Sequence, residues 1–105
     1  MYENDLKLLE NNQELSTKVA RWLIEKGIPS HLKGFKMLVD IIVLVKLKKK
    51  YSLTTIKELS PFIGRKYGIK DYSVQRQLRY TCTLATNKLY KPIELISMAW
   101  YEIEN

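Results

Sequence analysis

The chain has 105 residues, 46% of them hydrophobic, and a formal net charge of +7; this leaves room for one domain with a modest core and argues against disorder. Its single cysteine, Cys82, excludes an internal disulfide and a cysteine-based metal site, and it fits a reducing cytoplasm. The N-terminus is polar and acidic, unlike a signal peptide. The most apolar run, Leu38 to Leu47, is interrupted by Asp40 and Lys46 and is too short to span a bilayer, so a cytoplasmic protein without a membrane partner is expected.

In chain order, residues 1–14 read as an arm or short helix with Leu6, Leu8 and Leu9 as its apolar cluster, ahead of a single helical domain over 15–105. From Leu15 to Lys26 the apolar residues Leu15, Val19, Trp22 and Leu23 recur at helical spacing, and Gly27 with Pro29 ends the segment. A stronger helix is predicted from near His31 to about Lys49. Phe35, Leu38, Ile42 and Val45 make one stripe, and Val39, Ile41, Val43 and Leu44 extend it almost all round, as in a central helix. Lys48 to Lys50 close it, where cations suit the helix dipole. Thr55 with Glu58 suggests a capping box for one helical turn before Pro61, which is expected to break any helix continuing through it.

The stretch from Ser60 to Thr86 reads as a helix-turn-helix. Ser60 is expected to cap a short helix from Pro61 to Tyr67, and Gly68 to stop it. Asp71 is expected to cap a second helix carrying Val74, Leu78, Thr81 and Ala85 on its buried face. Gly64 is small where the two helices would cross, and Ile63, Ile69, Val74 and Leu78 would fill the space between them. The outward face of the second helix holds Ser73, Gln75, Arg76, Arg79 and Tyr80. All can hydrogen-bond, and the two guanidinium forks suit guanine edges or phosphates. These five are the candidate base readers, with Arg76 first. Lys57, Arg65, Lys66 and Lys70 flank that helix and are the candidate phosphate contacts. The last segment, from Pro92, carries Ile93, Ile96, Trp100 and Ile103 as a terminal helix with Glu94 in its first turn. The expected fold class is therefore all-α, a compact bundle of five to six helices around the motif.

Charge is distributed to match. Residues 1–27, 28–91 and 92–105 carry net charges of −1, +11 and −3, which concentrates the positive potential around the motif. Double-stranded DNA is the partner such a surface fits.

At Gly27, Ile28, Pro29, Ser30, His31, Leu32, Lys33, Gly34 and Phe35 the chain resembles the C-terminal DNA-binding effector domain of the sporulation-initiation response regulators of endospore-forming Firmicutes. The resemblance continues through Leu59, Pro61, Ile63, Lys66 and Tyr67 in the first motif helix and Val74, Arg76 and Arg79 in the second. It resumes weakly at Lys91 and Pro92, so that about 80 of the 105 positions are covered. It implies a six-helix effector domain that inserts its recognition helix into the major groove of short promoter elements and regulates transcription, often as paired protomers. Ser73, Gln75 and Tyr80 depart from the family's arginine, glutamate and histidine. Glutamine pairs best with adenine where a carboxylate accepts from cytosine, so the DNA preference is expected to shift at that base. The family's long connector before the last helix is mostly missing, since Thr86 is six residues from Pro92. Contacts built on that connector, with RNA polymerase or a second protomer in a homodimer, are therefore not carried over by the resemblance. Family members carry a receiver domain ahead of this module, whereas here the first matching helix begins about a dozen residues in, so a module standing alone is expected.

Two other classes are weighed against this. For an enzyme, His31 reads as a buried hydrogen-bonded histidine or helix cap rather than a base, and Cys82 as a buried filler. No cofactor, metal or catalytic residues are expected. For a protein-interaction module, or a decoy pairing with a full-length relative, Tyr72, Tyr80, Tyr90 and Trp100 would be the anchors. RNA is disfavoured by the lack of an aromatic stacking platform.

Overall fold

A computed structural model of the chain describes residues 3–86 and 88–104. Six helices make up its regular structure: α1 (Glu3–Glu10), α2 (Gln13–Glu25), α3 (Lys33–Lys48), α4 (Thr55–Tyr67), α5 (Asp71–Thr83) and α6 (Pro92–Glu102). No strand occurs among the described residues. Phe35, Met37 to Val39 and Ile41 to Val45 of α3 are all buried, and α3 packs against each of the other five helices. A helix apolar all round has no face to give to water, so the others assemble about it.

Each neighbour contributes one stripe. Leu15, Val19, Trp22 and Leu23 do so from α2, and Leu95, Ile96 and Ala99 from α6, while α1 buries Leu9. The turn after α2 is tied by two backbone bonds, Gly27 N–H to the Ile24 carbonyl at 2.9 Å and Ile28 N–H to the Leu23 carbonyl at 3.1 Å. This pattern satisfies the last carbonyls and folds Ile28 into the core. The lysines closing α3 also find acids, Lys48 on Asp5 of α1 at 2.5 Å and Lys50 on Glu58 of α4 at 3.3 Å. Tyr51 stacks on Trp100 with ring centroids 6.0 Å apart, and Lys46 Nζ donates to the Trp100 carbonyl at 2.9 Å, fastening α6 to the end of α3.

Three local expectations are corrected. Ser60 and Pro61 do not open a helix but lie inside α4, which starts at Thr55. A proline inside a helix costs about 3 kcal/mol or more, yet the buried side chains stand on both sides of it, Ile56 before and Phe62 and Ile63 after. The continuous helix buries all three, and Ser60 Oγ meanwhile donates to the Ile56 carbonyl at 2.6 Å. The proposed capping box also does not form. Thr55 is the first helical residue, its hydroxyl accepts from Ser52 N–H at 2.8 Å, and Glu58 is reached by the Thr54 hydroxyl instead. His31 is neither buried nor a cap: it is exposed in the turn before α3, whose cap position is Leu32.

Candidate nucleic-acid interface

Helices α4 and α5 form the predicted pair. Gly68 leaves α4 in the left-handed region at φ 71°, where glycine has no steric penalty, and Ile69 N–H returns to the Gly64 carbonyl at 2.9 Å. The crossing is close at Gly64. A Cβ there would stand 2.7 Å from the Ile69 carbonyl oxygen and 3.2 Å from Asp71 N. Ile63, Val74 and Leu78 are fully buried between the two helices, with Ile69 half-buried beside them. One cap is corrected: Lys70, in extended conformation, precedes α5, and Asp71 is its first helical residue, with Oδ1 accepting from Tyr72 N–H at 2.8 Å. The carboxylate still sits at the positive end of the helix dipole.

Val74, Leu78, Thr81 and Cys82 are the buried residues of α5. On the outward side Gln75, Arg76, Arg79 and Tyr80 are exposed and Ser73 is half-buried. Helical periodicity sorts them. Gln75 and Arg79, four apart, line a groove of about 310 Å³ whose far wall includes Lys57 of α4 and Pro92 and Ile93 of α6. Ser73 and Tyr80, seven apart, flank the other side, and Arg76 stands between the two edges, opposite the core. Sequence reasoning left Tyr72 out of this face. It is 69% exposed, and its spacing of four from Arg76 was the available signal.

Two sets of cations stand apart. Among the described residues Lys26, Lys48, Lys50 and Lys66 hold ion pairs with Glu102, Asp5, Glu58 and Asp40. No carboxylate lies within ion-pair distance of Arg76, Arg79, Lys57 or Lys70 among the described residues, and Asp71 is the only acidic residue of α5. Lys66 belongs to the first set. Its Nζ lies 2.7 Å from Oδ2 of the buried Asp40, which also accepts the Tyr67 hydroxyl at 2.5 Å. Burial, reinforced by the Asp40 carboxylate, pushes the Tyr67 phenol well above its usual range. The cluster thus fastens the end of α4 to the central helix.

Cys82 is buried on the inner face of α5, and desolvation pushes its thiol up to about 11. A buried thiol with a raised pKa is a weaker nucleophile near neutral pH than a free one, and its side chain packs in the core. Among the described residues no group of histidine, cysteine and carboxylate side chains is placed to hold a metal, and no helix is long and apolar enough to cross a membrane.

The family described as "Sporulation initiation factor Spo0A C terminal" matches residues 19–104, from α2 to the end of the described chain. No solved structure matches the chain.

Proposed function

The chain belongs to the family of the sporulation initiation factor Spo0A C-terminal domain, and from that premise we propose that it is a cytoplasmic DNA-binding regulator of transcription that reads duplex sequence with α5 in the major groove. One observation carries the reading: Gln75, Arg76 and Arg79 stand exposed on one helix, and its arginines have no carboxylate partner among the described residues. Arg76, at the crest, pairs with a guanine edge, and Arg79 with a second base or a phosphate. Gln75, Ser73 and Tyr80 complete the base-reading set. Lys57, Arg65 and Lys70 anchor the backbone on either side; Lys66 stands with them, although its ammonium is already engaged with Asp40. The reading has no catalytic step and needs no cofactor. It extends to paired protomers on adjacent elements, which sedimentation with and without duplex would measure.

The deciding experiment is a mobility shift on a family-type promoter element, with scrambled duplex as competitor, at two salt concentrations. Phosphate binding releases counterions, so affinity falls steeply as salt rises. Salt-insensitive self-association with no preference between duplexes would support the alternative, a protein-interaction module or decoy.

A further inference from the structure

Tyr72 is the second residue of α5 and the more exposed of its two tyrosines, 69% against 55% for Tyr80. It stands one turn before Arg76, and Tyr80 one turn after. Residues four apart share a ridge on a helix surface, so Tyr72, Arg76 and Tyr80 form one line along α5. That line points away from the protein, because Val74, Leu78, Thr81 and Cys82 on the opposite side are buried. Two turns rise about 11 Å, enough for roughly three base-pair steps of 3.4 Å. Both phenol rings are left largely in water, where their apolar area contributes nothing until another surface covers it.

In a groove-entering helix the N-terminal residues lie nearest the base edges, and Tyr72 is in the first turn. The major groove offers one apolar feature, the 5-methyl group of thymine. A tyrosine ring suits it: flat, large, and with few torsions to immobilise. Resting on the DNA-reading proposal above, we infer that Tyr72 is a specificity-determining residue whose ring packs on the 5-methyl group of a thymine next to the base read by Arg76.

The test uses the intact chain and the duplex it selects from a random pool, with each thymine replaced in turn by deoxyuridine, which lacks only that methyl. Wild type is expected to lose about fourfold in affinity at one thymine, the worth of a single buried methyl group. Tyr72→Phe should keep that discrimination, and Tyr72→Ala should bind the thymine and uracil duplexes alike. Because the side chain is exposed, both variants should unfold at the wild-type temperature, which separates a reading defect from a folding one. A wild-type chain that prefers its selected duplex over a scrambled one yet ignores every uracil replacement overturns the role of Tyr72 alone, as does a Tyr72→Ala variant that still discriminates. A wild-type chain with no preference among duplexes overturns this inference together with the proposal it rests on.

Discussion

Gly34 of the central helix and Thr81 of α5 meet so closely that a Cβ on Gly34 would stand 1.9 Å from Thr81 Oγ1 and 2.8 Å from the Gln77 carbonyl oxygen. Thr81 Oγ1 is buried and has no hydrogen-bond partner among the described residues, so the contact is one of shape. It lets α5 seat directly against the backbone of α3 at this point.

Gly34→Ala should therefore destabilise the fold by about 1 to 3 kcal/mol, the usual cost of overpacking, despite alanine's better helix propensity. Adding Thr81→Ala should recover only part of the loss, because the Gln77 carbonyl remains in the way. Urea unfolding of the single and double variants measures both, and a Gly34→Ala chain as stable as wild type would show that α5 can shift freely.

Base reading and phosphate anchoring separate by salt dependence. Arg76→Ala should cost about 1 to 3 kcal/mol on the selected duplex and much less on a scrambled one. Lys57→Ala should weaken both alike and reduce the slope of log affinity against log salt by about 0.9. Titrations of both variants on both duplexes decide; equal losses for Arg76→Ala would remove it from base reading.

At Gln75 the change of residue type predicts a changed base. Selection by wild type should favour adenine at the contacted position, and Gln75→Glu should move the preference towards cytosine. Sequencing the two selected pools compares them directly, and recovery of one identical site from both would refute the assignment.

Lys66→Met should act first on stability. It leaves the buried Asp40 carboxylate with the Tyr67 hydroxyl as its remaining partner, at a cost of about 1 to 3 kcal/mol. Combining it with Asp40→Asn should restore part of that loss, which thermal melts of the two variants would reveal.

Alkaline pH should weaken the fold through Cys82. Its thiol is raised in the folded chain from an ordinary value of 9.0 to about 11, so the folded state holds a proton that the unfolded state releases. The associated stability is complete below about pH 9 and is lost as pH rises to about 11, and the raised Tyr67 phenol acts in the same direction. Urea midpoints for wild type and Cys82→Ala between those values should fall less steeply in the variant. Thiol labelling of native protein near neutrality should be limited by opening of the fold.

How much was legible follows from where each cause lies in the chain. The all-helical class, the central role of α3, the stop at Gly27, the turn at Gly68 and the start of α6 at Pro92 depend on neighbours a few residues apart, and hydrophobic spacing with local backbone chemistry determined them. The same holds for the outward face of α5, because periodicity places Gln75, Arg76 and Arg79 away from Val74 and Leu78. Pro61 was misread because a local rule against proline in a helix was outweighed by burial of Ile56, Phe62 and Ile63 against other helices. Only the tertiary structure could engage Lys66 with Asp40, join Lys57, Gln75 and Arg79 with Pro92 along one groove, and set Gly34 against Thr81. These contacts join residues far apart in sequence, and no periodicity encodes a distance that exists only once the helices have packed.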